Sequence, residues 1–258
     1  MEIINDLNGY IMKETGKVLS AIMVLPKEFV MNKESLSVAE KWLSFAKDGF
    51  ASPMQIETLQ VHYSAWANES DYKAAYNFWN VSEGVIRVYC LNLGVEKDSS
   101  SLAEDIRLAF SYGTCFLGYC NLAGVGVTQN YGAALRWFLE SAEVPNRNAY
   151  NALFQICREG LGVQVDYYKA FSYLRTCYEL GLSEADDYYN MAVCLLHGWG
   201  VDENIDAAFK CMEKAAGMNH LGAIEYLILS SLDGSEIPCA LDKVGEYINQ
   251  YSSLISNG

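Results

Sequence analysis

The sequence predicts an all-α solenoid of about six helix–turn–helix units stacked on one another. Three observations predict it. The segments Gly124-Val125-Gly126-Val127, Gly160-Leu161-Gly162-Val163 and Gly198-Trp199-Gly200-Val201 share a Gly-x-Gly-Val core, and Gly234-Ser235-Glu236-Ile237 is a worn copy. Their first glycines lie 36, 38 and 36 residues apart, a period at which each unit is one supersecondary element that buries its apolar face only against a neighbour. Apolar residues recur at helical spacing on both sides of each glycine pair.

The first helix of each unit covers Tyr112 to Ala123, Asn148 to Glu159, Asp186 to His197 and Gly222 to Asp233. Small or apolar residues stand eleven, seven and three before the first glycine, as in Ala149/Leu153/Cys157 and Ala223/Leu227/Ser231. The glycines then end the helix, because glycine takes a left-handed backbone without steric cost. Asn130, Asp166 and Asn204 follow at the place of an N-cap for a second helix. Along that helix small residues (Ala133-Ala134, Ala207-Ala208) alternate with bulky ones (Trp137-Phe138, Tyr173-Leu174, Cys211-Met212), which lets neighbouring helices interdigitate.

Toward the N-terminus the register continues in Asp71-x2-Ala74-Ala75-x2-Phe78-Trp79-x2-Ser82 and in Ala39-x2-Trp42-Leu43-x2-Ala46. A looser match runs from Asp98 through Ile106 and Ala109-Phe110 to a closing Gly113. One array is expected over residues 1–258. Capping helices fall in 1–50, irregular units in 54–113, the best-defined repeats in 112–234 and a C-terminal capping helix in 235–258.

Composition bounds the function. With 51% apolar residues and only four prolines in 258 residues, the chain supports a large core rather than disordered tracts. Its apolar run Val18 to Pro26 is too short to span a bilayer. Glu2 and Asp6 stand where an export signal carries positive charge. The expectation is a cytoplasmic protein, with no membrane span, whose eight cysteines are reduced, buried thiols.

The repeat resembles the Sel-one-like repeat, a relative of the tetratricopeptide repeat. Leu117-Gly118, Gly124-x-Gly126-Val127, Trp137-Phe138 and Ser141-Ala142 carry the resemblance in one unit. Gly160-x-Gly162-Val163-x2-Asp166-x2-Lys169-Ala170 with Gly181 carries it in the next. Asn121, Cys157 and Leu195 replace the usual tyrosine, and Asn130 and Asn204 the usual aspartate. The resemblance implies a right-handed α-solenoid of Sel-one-like repeats serving as an adaptor between proteins.

The face of the first helices opposite the repeat positions is the expected partner groove. It reads Tyr112, Phe116 and Tyr119, then Asn148, Ala152, Gln155 and Glu159, then Asp186, Asn190, Val193 and His197, then Tyr226, Leu229 and Asp233. Aromatic residues are favoured anchors at interfaces; packing against the neighbouring unit is the alternative for Phe116 and Tyr119. Charge is the second signal. The net charge is −14, and between Arg175 and Lys210 no basic residue accompanies Glu179, Glu184, Asp186, Asp187, Asp202, Glu203 and Asp206. Such a chain repels nucleic acid and attracts a basic protein. Solubility and helix capping are the alternative reasons for these acids.

Catalytic signals are thin. Cys194-x2-His197 with Cys211 and His220 offers a zinc-like count, but packed thiols inside helices account for the cysteines, and no metal or cofactor is expected. The Gly-x-Gly turns lack the preceding strand and the following Gly-Lys-Ser/Thr of a phosphate cradle. The reading is a non-enzymatic binding module, favoured as a bacterial immunity protein that neutralises a basic toxin through an acidic groove. A regulatory scaffold is the alternative.

Overall fold

The structure is a computed structural model and describes residues 33–94, 104–232 and 241–256. Every regular element among the described residues is helical. The chain divides into two compact units, Met1–Ala149 and Tyr150–Gly258.

In the first unit α1 (Lys33–Phe45) runs into a π-helical turn, Ala46–Phe50, and is followed by α2 (Pro53–Glu69), α3 (Tyr72–Leu93), α4 (Glu104–Ala123) and α5 (Tyr131–Ser141). Local chemistry starts these helices where they start. Ser52 and Gln55 close a reciprocal capping box ahead of Pro53, satisfying two donors that the first turn leaves unpaired. The Asp71 carboxylate accepts from the Lys73 and Ala74 amides. The predicted register holds here: Ala39, Trp42, Leu43 and Ala46, then Ala74, Ala75, Phe78, Trp79 and Ser82, are all buried. Trp66, Phe78, Trp79 and Phe116 form a contiguous aromatic core with ring centroids 5.1–6.2 Å apart.

The looser match ending at Gly113 is not a second helix. Asp98 lies outside the described residues, and Gly113 sits inside the 20-residue α4 rather than closing a helix. Gly113 is there for close approach: a Cβ would stand 2.5 Å from the Trp79 ring. Among the described residues, the interval between the caps Asp71 and Asn130 therefore holds two long helices, the 22-residue α3 and the 20-residue α4, which accounts for the irregular units expected there. A buried polar cluster ties α4 to α5: Ser141 Oγ donates to the Ser111 carbonyl at 2.7 Å, and Asn146 Nδ2 donates to Ser111 Oγ at 2.8 Å.

α6 (Arg147–Glu159) lies mostly in the second unit, which continues with α7 (Tyr167–Glu179), α8 (Ala185–His197), α9 (Ile205–Gly217), α10 (Leu221–Leu232) and α11 (Leu241–Ser256). The caps fall where the sequence places them. Asn130, Asp166 and Asn204 each accept the amide three residues on, at 2.9 Å. The glycines of the three complete turns (124, 126, 160, 162, 198 and 200) all have φ between 64° and 72°. Gly234 and Asp233 lie outside the described residues.

One backbone bond recurs in all three turns. The amides of Asn130, Asp166 and Asn204 donate to the carbonyls of Asn121, Cys157 and Leu195 at 2.8–2.9 Å. The contact at the position where this chain departs from the usual tyrosine is therefore made by a carbonyl, which any residue supplies, and the departures leave the turn intact. In the second helices Ala134/Phe138/Ser141, Ala170/Leu174/Cys177 and Ala208/Met212/Ala215 are buried at i, i+4, i+7, one apolar face per helix.

Candidate functional site

The residues predicted to line a groove are divided by the structure. Phe116 is fully buried, its ring 5.4 Å from that of Trp66. Ala152, Gln155 and Asn190 are buried as well. Tyr119 packs edge-on against Phe138 at 5.0 Å and donates its hydroxyl to the Asn148 carbonyl at 3.3 Å; burial pushes its phenol well above the usual range. Tyr112 shares a hydrogen bond of 2.6 Å with Ser35. Asn148, Val193, Tyr226 and Leu229 are half-buried, and Glu159, Asp186 and His197 are exposed.

The reason is helix crowding. In the second unit α8 packs against both α7 and α9 and buries eight of its thirteen residues. Too little of its circumference remains for an open polar face along its length. Sequence periodicity locates the apolar stripe on a helix but does not report how wide that stripe is.

Asp187 illustrates the point. It is buried, and its carboxylate accepts the Glu184 amide at 2.8 Å in the capping box that starts α8. It is a folding residue. Asp186 next to it is exposed and lies 3.4 Å from Nε2 of His220.

The acids also separate in space. Glu179, Glu184, Asp186 and Asp187 gather where α7 ends and α8 begins, whereas Asp202, Glu203 and Asp206 gather where α9 begins. The thirteen residues of α8 put these ends about 20 Å apart. At the α8 start Glu179 pairs with Arg175, Asp187 serves the cap, and Asp186 faces the neutral His220 imidazole. At the α9 start Asp202, Glu203 and Asp206 are exposed and make no ion pair among the described residues. A helix N-terminus offers only about +0.5 charge to offset them.

Aromatic rings meet at this same end. Trp199, inside the turn that leads to α9, stacks on Tyr167 with centroids 5.4 Å apart and planes 13° apart. The His197 ring lies 5.2 Å from Trp199. Tyr168, beside Tyr167 in the first turn of α7, is 79% exposed.

A family model for the Sel1 repeat matches residues 111–144, 147–182 and 185–220. Between residues 111 and 220 the chain carries three Sel1 repeats. Among solved structures it is similar to a Sel1 repeat protein from Oxalobacter formigenes, at 19% identity and a TM-score of 0.51, over 76% of this chain and 82% of that one. It is also similar to c5321, described as a protective antigen present in uropathogenic Escherichia coli strains displaying an SLR fold. That match has 16% identity and a TM-score of 0.52, and covers 95% of this chain but 56% of the other, so this chain spans little more than half its length. No curated protein matches the chain. At these identities the likeness is one of fold, the SLR α-solenoid. Sel1 repeats mediate contacts between proteins.

The other reactive groups of the Sel1 repeats are built into the fold. Of the seven described cysteines six are buried and Cys211 is half-buried. Burial pushes the thiols of Cys115, Cys120, Cys157 and Cys211 above their usual range, and that of Cys194 to about 12. His220 is an N-cap: its Nδ1 accepts the Ala223 amide at 3.1 Å, so Nε2 carries the proton and faces Asp186. Among the described residues no three His, Cys, Asp or Glu side chains converge as a metal site requires, and no helix is long and apolar enough to cross a membrane. A pocket of ≈ 460 Å³ in the first unit, between α1 and α4, is lined by Trp42, Phe45 and Leu108 with Lys41 and Asp48 at hand.

Tyr167, Tyr168 and Trp199 are not among the residues of the groove expected from sequence. The signal was present: the x position of Gly-x-Gly is Val125 and Leu161 in the other Sel1 turns but tryptophan here, one unit after a Tyr-Tyr pair.

Proposed function

We propose that this Sel1-repeat protein is a non-enzymatic module that binds a basic partner protein, and that its biological form is an immunity protein neutralising a basic toxin in the cytoplasm. The observation that carries the reading is the trio Asp202, Glu203 and Asp206, exposed and without ion pairs among the described residues, in a chain of net charge −14. Uncompensated surface charge raises the association rate with an oppositely charged protein and selects against others. High thiol pKa values fit a protein without a cysteine nucleophile, since the thiolate is the reactive form.

The test is co-expression with a basic candidate toxin. Protection of the cells, together with an equimolar complex that weakens as salt is raised, supports the immunity reading. A complex without protection leaves a binding module and removes the immunity role. Several substoichiometric partners point to the regulatory scaffold instead.

A further inference from the structure

We propose that His220 is a proton-operated latch on the start of α10: on taking up a proton its ring releases the Ala223 amide and moves onto the carboxylates of Asp186 and Glu225, and the first turn of α10 opens. The latch works whether or not the partner of this chain is basic.

The His220 ring is held on several sides. Its Nδ1 accepts the Ala223 amide at 3.1 Å. Its face stacks on Tyr189 of α8, with centroids 4.3 Å apart and planes 20° apart. Gly222 closes against its edge, so that a Cβ there would lie 3.3 Å from Cε1 and 3.5 Å from the Tyr189 ring. Nε2 lies 3.4 Å from an Asp186 carboxylate oxygen. The start of α8, the turn out of α9 and the start of α10 therefore meet at one side chain, which is only 9% exposed.

Protonation is incompatible with this arrangement. A ring nitrogen that accepts from an amide N–H has its lone pair in that bond, and a second proton can go nowhere else, because Nε2 already carries the first. Two N–H groups would then face one another in a site with little water. Tyr189 on the face and Gly222 at the edge confine the ring, which leaves the exposed side of Asp186 as its way out. The His220 carbonyl also accepts the Ala223 and Ile224 amides, both at 3.1 Å, so the displaced ring loosens the first turn and leaves the rest of α10 in place.

The surrounding charges set the direction. Burial holds the imidazole below its ordinary value, against the pull of Asp186 from α8 and Glu225 from α10. Glu225 also accepts the Tyr251 hydroxyl of α11. Tyr189 and Tyr226 bring hydroxyls to the same region; burial and Glu225 keep the Tyr189 phenol above its usual range, so it stays neutral where histidine titrates. On α9, Lys214 lies over the Tyr188 ring and Glu213 pairs with Lys243. The latch is shut at neutral pH. In acid the exposed ring finds two carboxylates waiting.

The experiment follows amide hydrogen exchange of the full chain by NMR from about pH 7 to about pH 5, with rates corrected for their intrinsic pH dependence. The expected result is that the Ala223 and Ile224 amides lose about tenfold in protection. Their exchange at the lower pH should not respond to urea up to about 1 M, because a local opening exposes little surface. His220→Asn, which keeps an acceptor and cannot titrate, should abolish the loss. Asp186→Asn should move its midpoint to lower pH. Unchanged protection overturns the latch, and so does a loss that grows with urea in step with the buried Leu153 amide, since that reports global unfolding alone. A loss that persists in His220→Asn, or a midpoint unmoved in Asp186→Asn, overturns it as well.

Discussion

Gly200 lies so close to Tyr167 that any side chain at position 200 would overlap the Tyr167 carbonyl oxygen. The same relationship holds in the first unit between Gly126 and the carbonyl of Tyr72. In both, the second glycine of a turn rests on the residue that follows an N-cap, Asp166 or Asp71. The Gly-x-Gly motif thus has two jobs: its positive φ closes the turn, and its bare Cα lets one hairpin seat on the start of an earlier helix.

Gly200→Ala should therefore destabilise the protein by about 3 kcal/mol, combining overpacking with a left-handed backbone that a Cβ disfavours. Gly217→Ala is the control, because nothing lies within 4 Å of a Cβ there and its φ is not positive. Urea unfolding of both variants measures the difference; equal midpoints would show that the close approach does not matter.

Asp186 and Asp187 should separate folding from surface charge. Asp187→Asn weakens the capping box that starts α8 and costs about 1 kcal/mol. Asp186→Asn removes an exposed charge and shifts stability by less than about 0.5 kcal/mol. Thermal melts of the two variants check this, and similar shifts would contradict the assignment of Asp187 to the cap.

His220 gives the chain a pH dependence of predictable sign. Burial holds its imidazole below the ordinary value, against the opposing pull of the Asp186 and Glu225 carboxylates, and the ring stacks on Tyr189 at 4.3 Å. The unfolded chain then takes up a proton near pH 6.5, which the native state accepts only at lower pH. Stability falls as pH drops from about 6.5 to the native pKa, with a limiting slope of about 1.4 kcal/mol per pH unit from this group. His220→Asn keeps an acceptor for the Ala223 amide and cannot titrate, so its stability profile should lose this component. An unchanged profile would contradict the account.

Alkylation should find the seven described cysteines slow in the native state, with Cys211 the first to react because it alone is half-buried. Peptide-resolved labelling with iodoacetamide tests this. A cysteine alkylated within seconds would show a thiolate of low pKa and would reopen nucleophilic chemistry.

The repeat was legible in the sequence because its determinants are local. Glycines at fixed intervals, Asn130, Asp166 and Asn204 as caps, and the Ala/Phe/Ser type of spacing each act within a few residues. The surface was not legible in the same way. Phe116 and Asn190 face the interior because of what packs around their helices, and Asp187 turned inward to cap its own helix. The seven acids looked like one patch in sequence, yet the length of α8 divides them between two ends. Gly113 misled for a related reason: a glycine that lets a tryptophan approach reads in sequence like one that ends a helix.

The most direct measurement captures a basic partner in parallel on the native chain and on the variant with Asp202→Asn, Glu203→Gln and Asp206→Asn, at about 0.15 M salt, where the Debye length is about 8 Å. The account predicts one basic protein in equimolar amount on the native chain and at least a tenfold loss on the variant, a difference of about 1.4 kcal/mol or more. Equal retention by both proteins, or a retained partner that is not basic, would contradict it.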